Sequence, residues 1–336
     1  KTENWIPISL RHALDDIAHT RDAVSSAIML TMGLEAPFTN LQFGALSSDA
    51  AKAGDPSFAT MLQSIQTDEA RHAQIGEPVI RILIENGQKE EAQKLVDIAF
   101  WRMWKQFSVL SGIGMDYYTP LEHREHSLKE FMEEWVIGQF GRTVLGLGLD
   151  LPWYWDILHE DIATFHHSQQ IGVFVYRALQ WWRPIACVSP AERDWLEKKY
   201  PGWNDSYGKC WDVVIENIRN GDIEKTVPPV PPLVCNMCGL EVAGGVGSAW
   251  TPVDHNLDLD GRRYHFCSSV CKWIFEEEPA RYKGHRSIID RVLDGTVPPG
   301  PDGLFEYMGQ SPDERGDDGY EFKWIDGYDK PAEAAE

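Results

Sequence analysis

From Ser9 to Arg219 apolar residues recur at intervals of three and four, in runs far longer than a strand, and strict alternation is rare. The pattern predicts helices over 8–32, 35–52, 58–86, 88–115, 127–149, 157–180, 191–199 and 206–219, several of them as long as those of large helix bundles. Thr226–Leu233 (TVPPVPPL) then carries prolines that forbid a continuing helix and favour an extended connector. Between 233 and 285 the apolar runs shorten and alternate around Gly and Cys, predicting small strands and one helix. The last stretch, 286–336, is acidic and rich in Gly and Pro, and is expected to wrap over a neighbour or lack fixed structure. The expected division is a helical domain at 1–225, a Pro-rich linker at 226–232, a small module at 233–285 and an acidic extension at 286–336.

Two of the periodic lines contain residues that do not belong in a core. Along Phe58, Leu62 and Ile65 the next positions on the same helical face are Glu69 and His72. A second face runs through Ile28, Met32, Glu35, Thr39 and Phe43, again with a single carboxylate. An unpaired buried carboxylate costs several kcal/mol, on the order of what a cation or a proton must offset. A metal ion does so well, and Glu69-x-x-His72 places two ligand types on one side of one turn. Gly33 and Pro37 flank Glu35 and should loosen the local hydrogen-bond ladder, a distortion common at functional sites. Two other clusters read differently. Glu122, His123, Glu125 and His126 read as a solvated helix start. Asp156-x-x-His159, with His166 and His167, lies among aromatic residues on a long helix, and these histidines read as core or subunit-interface groups rather than ligands.

Cys235-x-x-Cys238 and Cys267-x₃-Cys271 supply two close thiolate pairs, a donor set that satisfies tetrahedral Zn²⁺ and leaves no position for substrate, so a structural zinc is expected. His255 and His265 read as outer or exposed groups, and Cys187 and Cys210 as small buried residues. Asp and Glu total 52 against 31 Lys and Arg, a net charge of -21 that disfavours nucleic acid and anionic lipid as partners. The absence of a long apolar run and of a leader-like start, with few cysteines, predicts a cytoplasmic protein. The chain opens at Lys1 within ordinary polar and amphipathic sequence, and is expected to be the C-terminal part of a longer subunit.

LEAPFTNLQFG followed by QTDEARH resembles the second half of the ligand set of bacterial multicomponent diiron monooxygenases, and the likeness to phenol hydroxylase large subunits runs along nearly the whole chain. The resemblance implies a mainly α, ferritin-like diiron bundle, incomplete at its N-terminus, in which Glu35, Glu69 and His72 are iron ligands. It implies that Asp68 and Arg71 orient the ligands and balance charge, that Thr39 serves oxygen or proton chemistry, that Leu30, Leu34, Phe43 and Leu46 wall an apolar pocket, and that Asn40 and Gln66 line a water or proton path. The family also needs an earlier Glu and an earlier Glu-x-x-His, which would precede Lys1, so this chain alone should be inactive. Its implied activity is hydroxylation of phenol or related aromatics such as toluene with O₂ and electrons from NADH. The implied partners are beta and gamma hydroxylase subunits in a dimer of heterotrimers, a regulatory protein and an FAD/iron–sulfur reductase. Tyr264-His265-Phe266-Cys267 with Cys271-Lys-Trp-Ile-Phe resembles the YHS or TRASH metal-binding module. Competing readings are an iron-storage or radical-generating ferritin-like protein, and a scaffold acting through its cysteines.

Overall fold

The computed structural model describes residues 5–19, 22–175, 188–222, 225, 232–242, 255–298, 303 and 306–307. The Pro-rich stretch at 226–231, Cys187 and most of the acidic extension beyond 298 lie outside the described residues. The helices are α1 (Trp5–His19), α2 (Ala23–Ala27), α3 (Asn40–Lys52), α4 (Pro56–Glu85), α5 (Lys89–Ile113), α6 (Leu128–Phe131), α7 (Gly138–Gly146), α8 (Trp155–Val175), α9 (Pro190–Lys199) and α10 (Tyr207–Arg219). After them come the hairpin β1 (His255–Leu259) and β2 (Arg262–Phe266), then α11 (Ser269–Glu277), α12 (Pro279–Tyr282) and α13 (Ile288–Leu293). The mainly helical fold expected from the periodicity is what forms.

Local chemistry explains where the helices begin and break. The run expected as one helix over 8–32 is interrupted where Asp22 caps α2, its carboxylate accepting from Val24 N–H at 3.0 Å. Asp55 caps α4 in the same way, accepting from Phe58 N–H at 2.9 Å with Pro56 in the first turn. The gap expected near Gly33 does not occur. Ile28–Thr39 is instead a π-helix containing Pro37, which joins α2 to α3 without a loop. Two further π-helical turns, Gly114–Tyr118 and Met132–Ile137, continue α5 and α6.

The chain divides into two compact units. One comprises residues 11–107 and 128–162, and its core is aromatic. Phe38 stacks on Phe100 at 5.5 Å and meets Phe107 at 4.6 Å, and Phe100 stacks on Phe140 at 3.9 Å between ring centroids. Lys105, fully buried, is neutralised by Asp161 at 2.7 Å, and Trp104 Nε1 donates to the same carboxylate. The other unit comprises 1–10, 108–127 and 163–336 and includes the cysteine-rich segment. There β1 and β2 pair antiparallel through Asp260-Gly261, both at positive φ (54° and 78°), the backbone that a two-residue hairpin turn requires.

Candidate metal centres

The first site lies between the π-helix and α4. A π-helix closes its hydrogen bonds one residue later than an α-helix, so it shifts the side chains that follow around the axis. The local sequence favours this. Pro37 has no N–H to give, Thr31 Oγ1 donates back to Ala27 carbonyl at 2.7 Å, and Gly33 lies flush on α5, where a Cβ would come within 2.9 Å of Ala99 Cβ and carbonyl oxygen. Gly76 of α4 faces Thr31 and Met32 with no room for a side chain, which brings α4 close.

Across this contact Glu35, Glu69 and His72 each offer one ligand atom, all within 4.8 Å of one another. His72 Nδ1 is 3.5 Å from Glu35 Oε1. Thr39 Oγ1 is 3.2 Å from Glu69 Oε2 and 3.4 Å from Glu35 carbonyl, so its single proton can serve the Glu69 carboxylate. Glu35 is buried, and its Oε2 has no hydrogen-bond partner. Burial pushes the Glu35 carboxyl above the usual carboxylate range, the facing Glu69 adds to that, and His72 opposes both. An orphaned buried carboxylate oxygen beside a second acid and an imidazole is an arrangement that a cation would satisfy, so the residues present fit a metal ion.

Other expected site residues lie as follows. Leu30, Leu34, Phe43 and Gln66 are half-buried, and Gly44 leaves space beside the Gln66 amide. Phe58 is 47% exposed and the His72 side chain 53% exposed, so the line read as inward-facing is inward only in part, and Leu46, which the resemblance implied as pocket wall, is 41% exposed. Asp68 and Arg71 pair with each other at 2.9 Å on the exposed side of α4. The Asn40 side chain lies outside the described residues. Glu122, His123, Glu125 and His126 are exposed, His166 and His167 are fully buried, and Cys210 is half-buried where a buried residue was expected.

The second site is the cysteine cluster. Cys235, Cys238, Cys267 and Cys271 are all buried, with their sulfurs within 4.8 Å of one another and none in a disulfide. Cys267 Sγ is 3.6 Å from Cys238 Sγ and 3.4 Å from Cys271 Sγ. A tetrahedron with Zn–S bonds of about 2.3 Å has edges of about 3.8 Å, so this spacing suits a single ion. Burial pushes the Cys238 and Cys271 thiols up. At Cys235 burial acts the same way but is outweighed by hydrogen bonds from the other three sulfurs, which hold that thiol low. Two elements build the cluster. Residues 234–241 form a knuckle closed by Gly239 at positive φ and Cys235 N–H bonded to Leu240 carbonyl at 2.8 Å. The start of α11, capped by Ser268, presents Cys271.

Sequence periodicity gave no sign of how the knuckle is held. The Gln169 side-chain amide of α8 pairs with the Glu241 backbone, donating to its carbonyl at 3.0 Å and accepting from its N–H at 3.3 Å. Ser9 Oγ donates to Cys238 carbonyl, and Gly239 lies against the same serine. The Glu241 side chain is itself buried against Gly172, where any Cβ would collide with the carboxyl.

Comparison with known proteins finds a match in each of the two regions that carry these sites. Residues 1–87 match the methane/phenol/alkene hydroxylase family and residues 251–286 the YHS domain, the latter taking in Cys267 and Cys271. All of this chain aligns, at 41% identity, with 67% of the alkene monooxygenase oxygenase component subunit alpha of Xanthobacter autotrophicus. The phenol 2-monooxygenase oxygenase component of a Pseudomonas strain is 27% identical over 82% of this chain and 53% of its own length. The chain thus spans about two thirds of one relative and about half of the other. The crystal structure of phenol hydroxylase from Pseudomonas sp. OX1 superimposes with a TM-score of 0.77 at 25% identity, covering 91% of this chain and 63% of that one. Similarity along the entire chain, over a matching fold, makes this protein a member of the methane/phenol/alkene hydroxylase family.

Proposed function

We propose that this chain is part of the alpha subunit of a multicomponent monooxygenase and contributes Glu35, Glu69 and His72 to a carboxylate-bridged diiron centre. The observation that carries the reading is the buried, unpartnered Glu35 Oε2 within a cluster of three ligand atoms at most 4.8 Å apart. The remaining ligands of a binuclear centre would come from sequence before Lys1. Bound iron supplies the capacity to activate O₂ for insertion into a C–H or C=C bond.

The residues of this chain have separable tasks. Glu35, in the π-helix, and Glu69, in α4, present carboxylates from two elements whose close contact depends on Gly76, while Gly33 seats the π-helix on α5. Thr39 Oγ1 lies 3.2 Å from Glu69 Oε2, where its hydroxyl fixes that carboxylate and is placed to serve proton transfer. Leu30, Leu34 and Phe43 offer an apolar lining that excludes water from a reactive site. The substrate is a small apolar molecule. The 41% identical alkene monooxygenase relative favours an alkene, and phenol or a related aromatic, as in the 27% identical relative, is the second reading. Beta and gamma hydroxylase subunits, a regulatory protein and an NADH-dependent reductase would complete the system. Structural zinc at the four cysteines would keep the knuckle and α11 together.

Metal analysis of the intact subunit tests this assignment. Iron at a binuclear stoichiometry together with zinc is expected. Glu69→Ala should lose iron and keep zinc, whereas loss of both in equal measure would count against a ligand role for Glu69. Turnover of the reconstituted system on propene against phenol then separates the two substrate readings.

A further inference from the structure

A second group of buried polar residues belongs to neither metal centre. Asp116 and Tyr117 lie in the π-turn after α5, His166 and His167 are adjacent on α8, Tyr200 and Trp203 follow α9, and Tyr207 begins α10. All are buried. Asp116 Oδ2 accepts from His166 Nε2 at 2.8 Å and from the Tyr200 hydroxyl at 2.5 Å. Tyr117 and His167 form the other arm, with the phenolic oxygen 2.6 Å from His167 Nδ1 and accepting from Trp203 Nε1–H at 3.1 Å. The Tyr207 ring lies 5.0 Å from the His167 ring, and its hydroxyl donates to Thr164 carbonyl.

The donor inventory gives the Tyr117–His167 bond a direction. An indole N–H only donates, so the Tyr117 oxygen is the acceptor there, and its own O–H is available for His167 Nδ1. The ring proton of His167 then sits on Nε2, which has no partner. Burial, with His166 alongside, holds His167 well below the ordinary imidazole pKa, so at neutral pH the ring is uncharged and Nδ1 keeps its lone pair. A phenol in a dry site, with a short hydrogen bond to a neutral base, has the geometry in which an electron and a proton leave together.

We propose that Tyr117 and His167 form a redox-active pair, in which a strong one-electron oxidant of the peroxyl-radical or ruthenium(III) class takes an electron from Tyr117 while its proton crosses to His167 Nδ1. Tyr117 becomes a neutral phenoxyl radical, the oxidant is reduced by one electron and His167 becomes an imidazolium. A reductant of the thiol or ascorbate class returns the electron, and His167 returns the proton. The Tyr200 hydroxyl shares its acceptor, Asp116 Oδ2, with His166, so that arm is the less suited to take a proton. Keeping the proton inside the protein prolongs the radical, so the pair acts as a sink for oxidising equivalents that stray. That use rests on the oxygenase reading above, whereas the chemistry of the pair does not.

Flash photolysis of the full chain in its native complex, with tris(bipyridyl)ruthenium(II) and persulfate, supplies the oxidant independently of iron. Absorption and electron paramagnetic resonance should detect a long-lived neutral tyrosyl radical whose formation slows in D₂O. Tyr117→Phe should lose the long-lived signal and Tyr200→Phe should retain it. A long-lived radical that persists in Tyr117→Phe, or vanishes in Tyr200→Phe, overturns the assignment. Should Tyr117→Phe fail to fold, Trp203→Phe removes the N–H given to the phenolic oxygen, along with part of a buried ring, and should shift the radical's g values; an unchanged spectrum refutes the assignment of the radical to Tyr117. Failure of any arm leaves the metal assignments standing, because neither the oxidant nor the readout involves them.

Discussion

Replacing Glu241 with Gln tests how the cysteine knuckle is held. The side chain is buried, its Oε2 has no partner, and burial pushes its carboxyl up to about 8. Between the unperturbed value of 4.5 and about 8, the folded state keeps a proton that the unfolded state releases. Stability from this group is therefore complete below 4.5 and falls as pH rises, reaching its lower plateau once the folded-state value of about 8 is passed. At 1.36 kcal/mol per unit, the loss is about 3 kcal/mol at neutral pH and almost 5 on the plateau, an upper estimate for a single group. Glutamine has the same shape, leaves the Gln169 pairing to the backbone intact and does not titrate. Its buried amide costs about 1–3 kcal/mol, but by the same amount at every pH. Urea denaturation of both proteins at about pH 6 and about pH 8.5 should show the variant gaining on the wild type by about 2.5 kcal/mol between the two. Titration of the cysteines acts on both proteins alike and cancels in the difference. A variant that tracks the wild type across this range would mean that Glu241 is ionised or solvated in the folded protein, and would refute the buried, protonated carboxyl.

Further outcomes follow from the packing. Gly33→Ala sets a Cβ 2.9 Å from backbone and side chain of Ala99; overpacking of about 1–3 kcal/mol should outweigh the helix-propensity gain of about 1, lowering both the denaturation midpoint and iron occupancy. Adding Ala99→Gly should rescue it only in part, since the Ala99 carbonyl remains in the way. Cys271→Ala should release zinc and leave the segment from 233 onward open to limited proteolysis while α4 and α5 stay protected, measured by mass spectrometry of the digest. Gly172→Ala should mimic the loss of the knuckle contact, because the new methyl meets the Glu241 carboxyl, and faster zinc release to a chelator would report it.

Much of the helical scaffold was legible because a period near 3.6 is written directly in the residues, although that period gave no sign of the break at Asp22. Glu35, Glu69 and His72 stood out as charged positions on apolar lines, and the structure brings their ligand atoms together. Periodicity says which residues share a face but not how far that face is covered, and for this reason Phe58 and His72 are more exposed than their positions suggested. Gly33 and Pro37 signalled a disturbed ladder, yet whether the chain would break or widen into a π-helix depended on how closely Ala99 approaches, a tertiary fact. The pairs Asp116–His166 and Tyr117–His167 join residues fifty positions apart, which no local pattern encodes. The same is true of Gln169, an ordinary polar residue in sequence and the anchor of a metal-binding loop in space.

The π-helix at 28–39 carries a lesson about chain length. Deleting one residue from it would let the backbone relax into ordinary α-helical bonding, a change that improves the local ladder. The same deletion would rotate every side chain on one flank relative to the other, swinging Glu35 away from its partners on α4. This stretch is therefore one where a gain in regularity is a loss in register, and insertions or deletions here should be tolerated far less than in any surface loop of the molecule.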